Sequence, residues 1–177
     1  MNAAHLHVIL NHIPIVGVPI GLALLLYGLL RRSTEVKRAA LVVFIAMGLI
    51  AVPTFLAGKA AEDIVEHLPG VTEAAIENHE AAGTIAFGLT TTLGALALGA
   101  LVWSFRTSAV GGAVAALLLL ASGGVSGWLA WTGNLGGKVR HTEFREGGFN
   151  QAEAEEEREG DREDGEGRGR GRRGRDR

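Results

Sequence analysis

Four stretches of this chain contain no Asp, Glu, Lys, Arg or His: Ile13–Leu30, Ala39–Gly58, Ala81–Phe105 and Thr107–Gly137. Crossing a hydrocarbon core of about 30 Å takes about 20 helical residues at 1.5 Å each, and every stretch supplies that length or close to it. In water such runs would expose more apolar surface than one buried stripe can hide. In lipid a helix satisfies all its backbone donors and acceptors internally. The bulk values of 47% hydrophobic residues and a mean hydropathy of +0.23 conceal this, because a polar C-terminal segment dilutes them. The expected fold is all-α, an integral membrane four-helix bundle in a single domain over residues 1–146. Spans are expected at about 8–30, 38–58, 80–105 and 109–132, with a disordered charged tail over 151–177.

Orientation follows from the basic residues beside the first span. None precedes it, whereas Arg31, Arg32, Lys37 and Arg38 follow it, so the link after it is expected in the cytoplasm and both termini outside. The tail joins an acidic block, Glu153 to Glu166, to Arg168, Arg170, Arg172, Arg173, Arg175 and Arg177 set among glycines. Neither block can be buried. Arg-Gly repeats can bind RNA, but this one is expected outside the cell beside a neutralising acidic block, so no nucleic-acid partner is expected.

The link Lys59–Glu80 is the longest between spans. Ile64, Val65 and Leu68 share one face of a helical projection, and Glu62, Asp63 and Glu66 lie away from it, which predicts a short amphipathic helix at the interface over about 60–68. Pro69-Gly70 should end it, and Thr72 should N-cap the third span. Gly17 with Gly21, and Gly123 with Gly127, have the four-residue spacing that lets membrane helices approach closely.

All six histidines, His5, His7, His12, His67, His79 and His141, fall on the side of the termini in this topology. With no cysteine in the chain, thiolate-ligated zinc and cysteine-held iron–sulfur clusters are excluded, and any ligand set must be imidazole and oxygen. His5 precedes Arg31 by 26 residues and His79 precedes Arg106 by 27, which places both at about 40 Å from the basic end. His12, 19 residues before Arg31, lies at about 28 Å and shares a helical face with His5. His7 points elsewhere on that projection, and His67 belongs to the polar edge of the link.

The expected cofactor-binding set is therefore His5, His12, His79 and His141. Asn11, Asn134, Lys138 and Arg140 are expected in support, and Gly136-Gly137 to provide a turn that folds His141 back over the bundle mouth. Such a set can hold a b-type haem between helices, or a copper, zinc or iron ion through His12, His79 and Glu80. It can also form a proton-linked polar cluster. His12 taken alone is equally explained by a hydrogen bond to a backbone carbonyl, or to Thr132 or Asn134 at the end of the fourth span.

The segments His5-Leu6-His7, Leu10-Asn11-His12-Ile13-Pro14, Pro53 to Gly58, Asn78-His79-Glu80, Asn134 to Gly137 and Arg140 to Glu143 resemble an uncharacterised bacterial family of predicted four-helix membrane proteins. Related domains of that family occur fused to Rieske-type iron–sulfur domains or beside cytochromes. The resemblance covers residues 1–146 and implies a multi-pass protein of the bacterial inner membrane engaged in redox work.

Three functions follow in order of expectation. The first is a haem- or metal-binding electron-transfer subunit in the lipid bilayer, within a redox membrane complex or as a homo-oligomer. The second is a non-catalytic accessory or assembly subunit. The third is a small transporter or proton-linked channel, disfavoured because the spans contain no charged coupling group. No nucleophile elbow, P-loop or metalloprotease motif is present, so catalysis by the chain alone is not expected.

Overall fold

A computed structural model describes residues 2–68 and 70–141. The tail assigned to 151–177, and the end of the domain at 146, lie outside the described residues. Four helices follow in order, α1 Ala3–Leu30, α2 Thr34–Val65, α3 Glu73–Thr107 and α4 Gly112–Arg140. Each is long and apolar enough to cross a membrane. Each helix packs on its chain neighbour and α4 closes against α1, so α1 and α3 face each other across a diagonal. Short turns make the bundle run up, down, up, down.

The turns show why the helices stop where they do. After α1 the Ser33 amide reaches the Gly28 carbonyl and the Arg32 amide the Leu29 carbonyl, a Schellman closure that puts Arg32 at φ 53°. Ser33 then caps α2, its Oγ accepting the Val36 amide at 3.3 Å. Gly70, at φ 77°, permits the turn before α3. Thr72 is the N-cap residue of α3 but caps it without its side chain.

Two expectations about local structure are corrected here. Residues 60–65 are not a separate interfacial helix; they continue α2 without a break to Val65. Nothing from Gly58 to Val65 stops a helix, and Ala57 and Ala61 keep the packing face buried through that region. Likewise Gly136-Gly137 makes no turn, because α4 runs through both glycines to Arg140.

Buried positions alternate at spacings of three and four along each helix, the seam of coiled-coil-like packing. On α1 they are Pro14, Val18, Gly21, Leu25 and Gly28, and on α4 they run from Ala115 through Leu118, Ser122, Val125 and Leu129 to Thr132. Close approach depends on glycine at a few of them. A Cβ on Gly48 of α2 would lie 3.1 Å from the Gly94 Cα of α3, and one on Gly21 would press into the Phe44 ring. Gly17 packs on Met47 in the same way, whereas a Cβ on Gly127 would meet nothing within 4 Å. Of the two small-residue pairs, only the first makes a tight helix contact.

The basic end is tied by polar bonds. Lys37, 8% exposed, donates from Nζ to the Val110 carbonyl at 2.8 Å. Arg38 donates to the Ser104 hydroxyl and carbonyl at 3.0 and 2.6 Å and lies over the Phe105 ring. At the other end the character of the seam changes. Phe44, Leu25, Leu41 and Leu93 fill the interior of the basic half, and Ala57, Ala61, Ala82 and Ala86 take the buried positions nearer the termini.

Candidate functional site

Continued toward the termini, the α1 seam runs from Pro14 to Asn11 and His7, and the α3 seam from Ala86 to His79. The two imidazoles therefore enter the bundle from diagonally opposed helices. Their centroids are 6.1 Å apart and their planes stand at 75° to each other. The His7 Nδ1 is 3.0 Å from the Thr54 carbonyl of α2, and the His79 Nδ1 is 3.2 Å from the Thr132 carbonyl of α4.

The two supports are built alike. Gly58 stands four residues after Thr54 and Gly136 four after Thr132, and each uncovers the carbonyl one turn before it. A Cβ on Gly58 would lie 2.9 Å from His7 Cε1, and a Cβ on Gly136 2.9 Å from His79 Cε1. Both threonine hydroxyls donate to their own helices, Thr54 to Ile50 at 2.8 Å and Thr132 to Trp128 at 2.9 Å. A Thr-x-x-x-Gly turn thus receives a histidine twice, on α1 with α2 and on α3 with α4, as a pseudo-twofold repeat.

The hydrogen bonds fix the chemistry of the rings. A carbonyl oxygen can only accept, so Nδ1 carries the proton in each imidazole and the neutral ring keeps its lone pair on Nε2. Neither Nε2 has a hydrogen-bond partner among the described residues. A ring that donates its Nδ1 proton to a backbone carbonyl and leaves Nε2 available is held as metal-ligating histidines are held.

The expected residues are distributed differently. His79 belongs to the pair. His5 is exposed near the start of α1, where its amide donates to the Asn2 cap at 2.9 Å. His12 is exposed too, its Nδ1 2.6 Å from the Val8 carbonyl on its own helix, which is the backbone-carbonyl alternative. His141 lies exposed just beyond α4.

Glu80 forms an ion pair with Lys59 that bridges α3 and α2 beside the histidines. Among the described residues no group of three or more His, Asp or Glu is placed to hold a metal ion, so His12, His79 and Glu80 are not brought together as a set. Lys138 is half-buried on α4, and Asn134 and Arg140 are exposed.

Asn11, four residues inward from His7, is half-buried and its Oδ1 is buried without a partner. Trp128 anchors its indole on the Ala82 carbonyl at 3.1 Å and meets Trp131 edge-on at 4.9 Å, walling the α3–α4 side next to His79. His7, Gly58 and Gly136 were not in the expected set. The repeated Thr-x-x-x-Gly was the sequence signal for the two glycines, and the phase of the α1 seam was the signal for His7. Comparison with family models, curated proteins and solved structures returns no match to this chain.

Proposed function

We propose that this protein is a membrane-integral electron-transfer protein that holds a b-type haem between His7 and His79. The observation that carries the reading is the separation of the two rings together with the state of their nitrogens. With metal–nitrogen bonds of about 2.0–2.1 Å, imidazoles ligating one ion from opposite sides have centroids about 6 Å apart, whereas two ligands of a tetrahedral ion have them about 5 Å apart. The observed 6.1 Å is nearer the first value, so His7 and His79 would be the residues that hold the group from its two sides.

Other features support the same reading. Small residues occupy this end of the bundle, with Gly58 and Gly136 against the rings and Ala61, Ala82 and Ala86 at buried positions of α2 and α3, so little side-chain bulk would oppose a flat macrocycle. Nδ1 bonds to Thr54 and Thr132 hold each ring in the ligating tautomer and prevent its rotation. Lys138 and Arg140 at the same end are cations of the kind that anchor haem carboxylates. Held by both rings, the haem would supply a one-electron couple. The charge bias beside α1 favours a cytoplasmic basic end, with the histidine pair toward the outer face of a bacterial inner membrane.

Purification in mild detergent from haem-replete cells tests this. The reading expects one haem per chain, Soret and α bands in the reduced-minus-oxidised spectrum, and a low-spin ferric paramagnetic resonance with the large anisotropy of near-perpendicular axial imidazoles. Absence of bound haem overturns it.

A further inference from the structure

The pseudo-twofold repeat that supports His7 and His79 breaks one turn inward. Four residues beyond His7 the chain has Asn11, and four residues beyond His79 it has Gly83. A Cβ on Gly83 would meet nothing within 4 Å, whereas Asn11 brings a carboxamide whose Oδ1 is fully buried and without a partner. The hydroxyls that flank the rings cannot serve it, because Thr54 and Thr132 spend theirs on the carbonyls of Ile50 and Trp128.

A buried amide oxygen without a donor costs free energy in any apolar medium, and membrane interiors retain such groups where they have a task. Asn11 is also dispensable to the pair itself, since the α3 half holds His79 identically with glycine at the corresponding place. One turn inward the two halves are therefore unequal, with a carboxamide on α1 and no side chain on α3.

We propose that Asn11 is a potential-setting residue of this site, its amide oxygen turned toward the group held between the histidines. The inference rests on the haem reading above. A fixed dipole buried beside a redox centre shifts its potential, and an oxygen pointing inward favours the oxidised, more positively charged state. Asn11 thus holds the midpoint potential below the value that the two imidazoles alone would set. Because the oxygen is unpaired without the cofactor, the same residue weakens the empty protein.

The test uses the full chain and Asn11→Leu, which keeps the branching at Cγ and has no polar atom. Two readouts are taken, the midpoint potential by optical redox titration of the haem-loaded protein and the thermal midpoint of protein produced without haem. The inference expects unchanged haem content, a positive shift of potential in Asn11→Leu, and a higher thermal midpoint of the empty variant. A loaded variant with unaltered or lowered potential overturns it, and so does an empty variant that melts earlier, which would mark Asn11 as a structural residue. Wild-type protein without haem defeats the haem reading instead, and is recognised before any titration begins.

Discussion

At the scale of residues, the site is decided by which face of a helix looks inward, a property that spacing along the chain does not carry. Length along a helix translates into depth at 1.5 Å per residue, and His79 belongs to both the expected set and the observed pair. Spacing also tells which residues share a face, as His5 and His12 do, but not whether that face is turned to lipid or to the bundle. The phase is set by α1 positions far from the histidines, from Pro14 to Gly28, and it brings in His7 and turns His12 out. Glycine is the second residue-scale determinant. Gly136→Ala places a methyl group 2.9 Å from the His79 ring, a contact that overpacking measurements put at about 1–3 kcal/mol. The expected result is a lowered thermal midpoint with loss of most bound haem. Gly127→Ala, into open space, leaves both unchanged.

At the scale of elements, the four apolar stretches were legible because lipid imposes one requirement along the whole span. Their ends were not, since a helix leaving the bilayer continues as long as its neighbours offer a packing face. α2 therefore runs to Val65 and α4 to Arg140, beyond the spans assigned from apolarity. The basic end is the counterpart, where α2 holds the end of α3 through Arg38 and the α3–α4 connection through Lys37, side chains whose place in the sequence signals orientation alone. Lys37→Ala removes the bond to the Val110 carbonyl and leaves a buried acceptor unpaired, which costs about 1–3 kcal/mol. A lower thermal midpoint with haem content preserved is the expected outcome. An unchanged midpoint in Lys37→Ala and Arg38→Ala alike would show that this end is held by apolar packing alone.

At the scale of the whole molecule, the antiparallel bundle puts the α1 start, the α2–α3 turn and the α4 end on one side of the membrane. The chain has no cysteine, so His5→Cys, Glu77→Cys and Arg31→Cys each report a side without background. The first two are expected to react with an impermeant maleimide in cells whose outer barrier is opened, and Arg31→Cys only after lysis. Positions 5 and 77 in different compartments would break the bundle. The pseudo-twofold pairing of α1 and α2 with α3 and α4 makes the site symmetric: His7 and His79 must matter equally, and no other histidine must matter at all. Haem content and the reduced-minus-oxidised spectrum of the six single His→Ala proteins measure this directly. The account predicts loss of the low-spin haem in His7→Ala and His79→Ala, with wild-type spectra for His5, His12, His67 and His141. Full haem retention in His7→Ala, or its loss in His12→Ala, would contradict it.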